Sequence, residues 1–232
     1  QVTDWNFLKA ANHNQADLNS FTIFDHGAHM ACETGYVHYG EWESTYEHNT
    51  ISVGGGEQID PGNFCQPWDH YGEMGDFFAA PKTCYYLRGE GADGYEVGLL
   101  NRFDRNVMMI PDLSDDGTYF VIHDVLESSS AKNYKWLLHS ANQATIGGSQ
   151  TYTVLENGRK MNARLLKPSG LVANNTDNYN DVKKLVLTVA SPTANEEFLA
   201  VLTLYPNGGS APTVTSIDSG NAISVTYSTW VD

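Results

Sequence analysis

The 232-residue sequence predicts an all-β protein, a two-sheet antiparallel β-sandwich of the supersandwich type. Short segments in which apolar and polar residues alternate recur along most of the chain, and this alternation is typical of strands with one buried face. Clusters of Gly, Asn, Asp and Pro separate the segments and predict turns. No long segment has the 3.6-residue period of an amphipathic helix, so we expect less than about a tenth of the residues in α-helix.

About a dozen strands are expected in chain order. Two short strands around 21–23 and 30–32 are joined by a turn at 25–27, and two further pieces lie at 36–38 and 51–53. Later strands are predicted over residues 95–110, 117–127, 133–140, 150–156, 161–167, 183–190, 197–205 and 222–230. Turns are predicted at 115–117, 156–158, 207–209 and 219–221.

Residues 59–94 interrupt this alternation and are expected to form a long loop region within a single domain of residues 1–232. The segment is rich in Gly and Pro and carries several aromatic rings, including Trp68. A loop of this length is usually functional or a lid. Its rings have two interpretations, since they could stack on sugars or simply cover a sheet edge.

The formal charge of −15 is unevenly distributed. Residues 1–81 contain twelve acidic residues and one base, Lys9, which gives a net charge of −11, whereas the remainder carries −4. Nucleic acid is therefore not expected as a partner, because the phosphate backbone requires a cationic surface. The acidity fits either the solubility of a secreted protein or the binding of divalent cations. No run of eighteen apolar residues predicts a membrane span.

Residues 12–58 hold the densest group of candidate site residues. Five of the eight histidines lie here, at positions 13, 26, 29, 38 and 48, and the stretch contains no Lys or Arg. Burying so many polar groups costs stability unless they are partnered, so such a concentration usually indicates a site. Every second side chain of a strand faces the same way, so positions on neighbouring strands can converge.

This stretch resembles the heparinase II/III-like β-sandwich domain of several polysaccharide lyases. The family pattern is His-x-His-x-Asp, an aromatic strand, a hairpin, Asp-Ser-Gly-Tyr, and then His-Asn-Thr followed by a hydrophobic strand and Asp-Gly or Gly-Gly. The matching segments are His13-Asn14-Gln15-Ala16-Asp17, Ser20-Phe21, Glu33-Thr34-Gly35-Tyr36 and His48-Asn49-Thr50-Ile51-Ser52-Val53-Gly54-Gly55. Segments at 105–107, 120–125, 136–140 and 198–202 resemble later strands of the same domain, in the same order.

The resemblance implies both catalytic and metal-binding positions. His13 matches the catalytic histidine, and Tyr39 is the candidate for an active-site tyrosine. The family's structural zinc site maps onto Gln15, Glu33 and His48, so an amide and a longer carboxylate replace two of its usual ligands. An amide oxygen is a poor zinc ligand and a better calcium ligand. Zinc, calcium or a metal-free hydrogen-bonded cluster are all compatible with these residues.

Other residues have weaker assignments. Tyr46 and Trp68 are candidates for substrate binding, and Asp17 is expected to orient its loop through backbone hydrogen bonds rather than to bind a metal. The histidines of the predicted hairpin turn are expected to face solvent. Structural roles are expected for the polar residues of the later strands, which are His123, Asp124 and His139.

The resemblance implies a lyase that acts by β-elimination on an acidic, uronate-containing polysaccharide. In the family the sandwich follows an α-helical toroid that supplies half of the cleft, so a separate helical chain is an expected partner and the sandwich alone is expected to be inactive. Two alternatives remain, a non-catalytic glycan- or cation-binding domain and a structural subunit that assembles through sheet edges. The start at Gln1 indicates a processed or trimmed end, and a secreted or periplasmic location is expected.

Overall fold

The computed structural model describes residues 16–33, 44–54, 72–111, 117–177, 182–217 and 222–227. These residues form sixteen β-strands and two short 3-10 helices, Thr45–Glu47 and Ala92–Gly94, and they contain no α-helix. None of the described helices has the length and hydropathy of a membrane span. The all-β prediction is confirmed.

The larger layer is an eight-stranded antiparallel sheet. Its strands are β4 (Glu73–Ala80), β5 (Cys84–Glu90), β6 (Arg102–Ile110), β7 (Tyr119–Lys132), β9 (Thr145–Ile146), β10 (Thr151–Glu156), β11 (Arg159–Lys167) and β14 (Thr193–Pro206). They are ordered β4-β5-β6-β7-β14-β11-β10-β9 across the sheet. The two 14-residue strands, β7 and β14, pair with each other at its centre.

The smaller layer has four strands, and two hairpins complete the described fold. The four strands are β3 (Ile51–Val53), β8 (Tyr134–Ser140), β12 (Val172–Asp177) and β13 (Lys183–Thr188). Their order is β12-β13-β8-β3. The hairpins are β1 (Ile23–Asp25) with β2 (Ala28–Ala31), and β15 (Thr213–Ile217) with β16 (Ala222–Thr226).

A single hydrophobic core joins the two sheets. Along β8, Tyr134, Trp136 and Leu138 alternate toward the core and are fully buried, and they meet core residues of the large sheet such as Ile122 and Leu126. Burial of a large side chain contributes about 1.5–3 kcal/mol. The polar side chains of β8, Lys135 and His139, lie on the opposite face and contact the segment that precedes β3.

The interpretation of residues 59–94 as a loop is wrong for the part that the structure describes. Residues 73–90 form the hairpin β4–β5, which extends the large sheet, while residues 55–71 lie outside the described residues. Strand β4 lies at the end of the described sheet and is exposed along seven of its eight residues, including both Phe77 and Phe78. A strand with both faces exposed does not need alternating apolar and polar residues. Its sequence therefore lacks the two-residue period by which a half-buried strand is recognised.

Other strand boundaries differ for related reasons. Strand β6 begins at Arg102 instead of residue 95, and β12 was not predicted, because its sequence Val-Ala-Asn-Asn-Thr-Asp is polar and it lies at the end of the small sheet. The predicted turn at 156–158 is confirmed, with positive φ angles at Asn157 and Gly158. The predicted strand piece at 36–38 and the turn at 219–221 lie outside the described residues.

Candidate functional site

The described part of residues 12–58 packs on the outer face and end of the smaller sheet. The amide of Leu137 donates to the carbonyl of Thr50 (3.1 Å), and the amide of Cys32 donates to the carbonyl of His139 (3.0 Å). The Thr50 hydroxyl donates to the carbonyl of Leu18 at 2.8 Å. These bonds bring residues 16–20, 32–33 and 45–50 together beside β8.

Asn49 holds these segments in place. Its Nδ2 donates to the carbonyls of Phe21 (2.8 Å) and Cys32 (2.9 Å), and its Oδ1 accepts from the backbone amide of His139 at 2.6 Å. Its own amide donates to the Ser20 hydroxyl at 3.1 Å. A fully buried amide with every one of these groups paired fixes the backbone on both sides of the site.

The centre of the site is a hydrogen-bonded chain of Ser20, Glu33 and His48. Nδ1 of His48 lies 2.5 Å from Oε2 of Glu33, and the Ser20 hydroxyl donates to Oε1 of the same carboxylate. His48 is only 2% exposed. Both oxygens of Glu33 are thus engaged by protein groups, and the imidazole ring is held in one orientation.

Burial and charge act in opposite directions on His48. Desolvation lowers the pKa of its imidazole, but the hydrogen bond and charge of Glu33, together with the charges of Asp17 and Glu47, raise it above the ordinary value. The raising effects prevail, so the site favours positive charge at His48.

Asp17 lies near this pair but has no hydrogen-bond donor on its Oδ1 atom. Burial raises the pKa of its carboxyl group to about 6, and the negative charge of Glu33 adds to the rise while His48 opposes it. Nε2 of His48 is likewise buried without a partner among the described residues. Two buried polar atoms thus remain unsatisfied within one cluster.

A second group of polar residues adjoins the cluster through Tyr46. The Nζ atoms of Lys135 and Lys184 lie 4.7 and 5.0 Å from the centre of the Tyr46 ring, which places two cations at one aromatic side chain. Lys135 also donates to the Tyr46 hydroxyl. Lys184 is neutralised by Glu47, with 3.2 Å between Nζ and Oε1. Lys135 has no carboxylate within ion-pair distance among the described residues.

His139 is buried beneath this group as a neutral imidazole. Its Nδ1 lies 3.1 Å from Oδ1 of Asn49, and its Nε2 lies 3.0 Å from the carbonyl of Tyr46. Burial, with the charges of Lys184 and His48, lowers its pKa to about 3. Both neighbouring atoms are acceptors, so the neutral ring donates to only one of them. The expected structural role of His139 fits this burial.

Behind the site lies a fully paired ionic network. Arg105 donates to both oxygens of Asp124, with N···O distances of 2.6 and 2.7 Å, and Nη1 donates to the carbonyls of Asn19 and Asn49 at 2.6 Å. The indole of Trp136 donates to Oδ2 of Asp124 at 3.1 Å. This network supports the loops that carry the site from the core side.

The structure brings some predicted residues together and leaves others outside the described part. Glu33 and His48 are in direct contact, and Tyr46 lies on the neighbouring segment. The predicted hairpin with its exposed His26 is confirmed. Asp17 does accept a backbone hydrogen bond, from the amide of Ser20, but through its main-chain carbonyl. The remaining candidates, His13, Gln15, Tyr39 and Trp68, lie outside the described residues.

Metal binding at this cluster stays a prediction, because Gln15, one of the three predicted ligands, lies outside the described residues. An imidazole held at one nitrogen by a carboxylate is the arrangement found around protein-bound zinc, and the second nitrogen is then the ligand atom. The open Nε2 of His48 and the open Oδ1 of Asp17 are the observations that support such a site. Within the described ranges no group of three His, Cys, Asp or Glu side chains is positioned to bind a metal.

The sequence alone assigned no role to three of the residues that shape the site. Lys135 was not singled out, and Ser20 and Arg105 entered only as members of matching segments. The one available signal for Lys135 was its position in β8, where odd-numbered residues alternate with the buried Tyr134, Trp136 and Leu138. That alternation predicts an outward side chain, but it does not predict that residues 45–47 cover this face.

Comparison with known proteins gives one family and one fold. The family model described as Heparinase II/III-like, C-terminal, matches residues 1–219. The crystal structure of a mutant heparan sulfate lyase HepC from Pedobacter heparinus has a TM-score of 0.69 at 14% identity, covering 93% of this chain and 37% of that protein. A heparinase III structure has a TM-score of 0.62 at 15% identity, covering 97% and 36%. No curated protein matches the chain.

Proposed function

The chain belongs to the heparinase II/III-like C-terminal family, and we propose from this premise that it is the β-sandwich portion of a secreted or periplasmic polysaccharide lyase. It is homologous to polysaccharide lyases and spans just over a third of the length of the solved lyases that it resembles. The proposed reaction is β-elimination in a uronate-containing, acidic polysaccharide. The proposed partner is an α-helical toroid, supplied by another segment or chain.

The hydrogen-bonded chain of Ser20, Glu33 and His48 is the observation that carries this proposal. Positions 33 and 48 come from two separate motifs of the family pattern, and their side chains meet with 2.5 Å between Nδ1 and Oε2. A fold-level likeness alone does not require these side chains to meet. Their contact supports a site at the position that the ordered motifs imply.

β-Elimination requires a neutralised carboxylate, a base for the C5 proton and an acid for the leaving oxygen. We assign the proton transfer to His13 by its position in the family pattern, and we propose Tyr39, from the segment at 36–40, as the active-site tyrosine. Lys135 is suited to the carboxylate, because it is only part-buried and has no acidic partner in the described structure. The hydroxyl of Tyr46 accepts from its ammonium group and holds it in place.

A divalent cation is part of this proposal. Zinc is implied by the family, and calcium is compatible with the amide of Gln15. His48 and the neighbouring carboxylates would hold the ion, and its positive charge would offset the acidic surroundings of the substrate site. Trp68 is proposed to contact the sugar rings, as its aromatic side chain allows.

A second candidate function is assembly through a sheet edge. Strand β4 exposes Phe77 (68%) and Phe78 (54%), and only β5 pairs with it in the described structure. An exposed edge of this kind is a template for pairing with another strand. Analytical ultracentrifugation of the chain and of a Phe77→Asp variant tests it, since edge assembly requires a dimer that the substitution disrupts.

The lyase proposal is tested by ultraviolet detection of unsaturated uronates. The chain joined to its helical partner is expected to cleave heparan sulfate or a related uronate polymer, and His13→Ala is expected to abolish this activity while its thermal midpoint stays within a few degrees of the parent. Full activity of His13→Ala would remove this residue from the mechanism. Unfolding of the variant would make His13 structural.

A further inference from the structure

A polar pocket lies on the outward face of the large sheet. It has a volume of about 790 Å³ and opens to solvent at the end of the sheet formed by β9, β10 and β11. Thr153 and Leu155 of β10 line it, because the alternate residues Tyr152 and Val154 point into the core. None of its lining residues belongs to the candidate site beside β8.

Hydrogen bonds hold the walls of this pocket in place. The turn between β10 and β11 has positive φ angles at Asn157 and Gly158, and the carbonyl of Gly158 accepts from the amide of Asn207 at 2.8 Å. On the other wall, Nδ2 of Asn142 donates to the carbonyl of Leu155 at 3.0 Å. The loop before β9 and the loop after β14 are thus tied to one hairpin, so the pocket is formed before a ligand arrives.

Four polar side chains of the lining have no partner among the described residues. They are Gln143, Thr145, Lys160 and Asn207. An amide offers both donors and an acceptor, and a hydroxyl can act as either, so these groups match the hydroxyl groups of a sugar. Leu155, which is 44% exposed, adds an apolar surface for the C–H face of a sugar ring.

The charge at the pocket differs from that of the whole chain. The net charge of the chain is −15, but none of the described residues that line the pocket is acidic. The outward positions of β10 and β11 include two bases and no acid, and they are Thr151, Thr153, Leu155, Lys160, Asn162 and Arg164. Glu156, at the adjoining turn, accepts from Asn142. The ammonium group of Lys160 is therefore available to a carboxylate or sulfate group of a ligand.

We propose that this pocket is a non-catalytic binding site for an acidic oligosaccharide. Lys160 binds a carboxylate or sulfate group, and the side-chain amides of Gln143 and Asn207 bind sugar hydroxyls. The site goes beyond the proposed lyase function, because it uses other residues on the other sheet and requires neither His13 nor a helical partner. A site of this kind retains a polymer at the protein surface and raises its local concentration without cleaving it.

The experiment is a titration of the isotope-labelled full chain with a sulfated tetrasaccharide prepared from heparan sulfate, followed by amide NMR spectra. We expect saturable shifts of the side-chain amide signals of Gln143 and Asn207. Lys160→Gln is expected to weaken binding at these signals by about 10-fold or more, because a charge-assisted hydrogen bond is lost. Asn207→Ala is expected to weaken it by about 5-fold, as the loss of a neutral hydrogen bond does.

The matched control is Lys82→Gln. It removes the same charge at an exposed turn between β4 and β5, at the opposite end of the large sheet, and should leave the affinity unchanged. Lys135→Gln, at the candidate lyase site, should also leave binding at the pocket signals unchanged, which separates the two sites.

Several results would overturn the proposal. Pocket signals that do not move as the tetrasaccharide is added would exclude the site, and equal weakening by Lys82→Gln and Lys160→Gln would reduce it to non-specific attraction between charges. A neutral tetrasaccharide or inorganic sulfate that binds as tightly as the acidic tetrasaccharide would exclude the ligand class. Binding at the pocket by a chain that shows no cleavage with its helical partner would support the site and count only against the lyase proposal.

Discussion

Two buried charged clusters lie close together in this molecule, and they differ in completeness. In the first, Arg105 and Asp124 are 1% and 0% exposed, and neither has a buried polar atom without a partner. In the second, His48 is 2% exposed and contacts Glu33, but one atom of His48 and one of Asp17 remain unpaired.

The difference separates a structural network from a candidate binding site. Arg105 uses its guanidinium to connect the large sheet to the loops at Asn19 and Asn49, so the network needs nothing further. In the Asp17–Glu33–His48 cluster, Glu33 is hydrogen-bonded at both oxygens, whereas one atom of Asp17 and one of His48 have no partner. Incomplete pairing at a buried position is costly, and such positions concentrate at functional sites.

Loss of Arg105 from the fully paired network with Asp124 should cause the largest fall in the free energy of unfolding. Arg105→Met leaves the carboxylate of Asp124 buried without its ion-pair partner, with only the hydrogen bond from Trp136, and removes support from two loop carbonyls. Loss of one partner of a buried ion pair costs about 3–5 kcal/mol. Urea denaturation followed by tryptophan fluorescence measures this loss.

The control for Arg105→Met is the double variant Arg105→Met/Asp124→Leu. It removes both charges, so most of the lost stability should return. A double variant as unstable as the single one would mean that the contacts to the loop carbonyls, and not the unpaired Asp124, cause the loss.

The second largest effect is the dependence of folding stability on pH that His139 causes. Its pKa is about 3 in the folded protein and 6.5 when unperturbed, so between these values the unfolded chain binds a proton that the folded protein does not. Its contribution to stability is therefore fully present above about pH 6.5 and is lost as the pH falls toward 3. This direction is the one expected for a base that is buried in its neutral form.

His139→Gln tests this sign. The free energy of unfolding should fall less steeply with acidification in the variant, by up to about 1.4 kcal/mol per pH unit between about pH 4 and 5.5. Urea titrations at several pH values, carried out on parent and variant together, measure the difference in slope. Parallel pH profiles would show that His139 does not titrate differently on folding.

Substitutions in the Asp17–Glu33–His48 cluster should lower the free energy of unfolding less than substitution of Arg105 does. Glu33→Gln replaces a charged acceptor of His48 by a neutral amide, and a buried hydrogen bond of this kind contributes about 1–3 kcal/mol. Ser20→Ala should cost about 1 kcal/mol, because only one of the two donors to Glu33 is removed. Thermal denaturation in the presence of a chelator measures both. A larger loss in Ser20→Ala would contradict the order.

The smallest change in stability is expected at Lys135. Its part-buried ammonium contacts Tyr46 and no carboxylate of the described structure, so Lys135→Gln should change the free energy of unfolding by less than about 0.5 kcal/mol. The same substitution should weaken binding of a uronate oligosaccharide and reduce the salt dependence of that binding. Calorimetric titration at two salt concentrations measures both. Unchanged affinity would remove Lys135 from the substrate site.

The sequence predicted the fold well where strands bury one face. Strands β8, β10 and β11 alternate clearly because their inner residues fill the core, and their predicted bounds fall within about two residues of the observed ones. Strand β4 was not predicted because it lies at the end of its sheet with nearly every residue exposed. Strand β12 has only a partly buried face, to which Ala173 contributes, and its mostly polar sequence gives no clear alternation. The alternation of apolar and polar residues that burial of one face requires was the signal that predicted strands β8, β10 and β11, and intrinsic strand propensity was not.

The candidate site was only partly predictable for a similar reason. Glu33 and His48 were found through ordered motifs, and the structure brings them into contact. The open acceptor of Asp17 could not be predicted, because whether a carboxylate finds donors depends on the packing of three separate segments. Lys135 approaches Tyr46 across a distance of 89 residues in sequence, which no local pattern encodes.

We propose that this sandwich is one part of a lyase and needs a helical partner to cleave polysaccharide. The most direct test is the growth of unsaturated-uronate absorbance with heparan sulfate as substrate, using the pure chain alone and the chain combined with its helical partner. We expect no measurable cleavage by the chain alone and clear cleavage by the combination. Robust cleavage by the chain alone, or none by the combination, would contradict the claim.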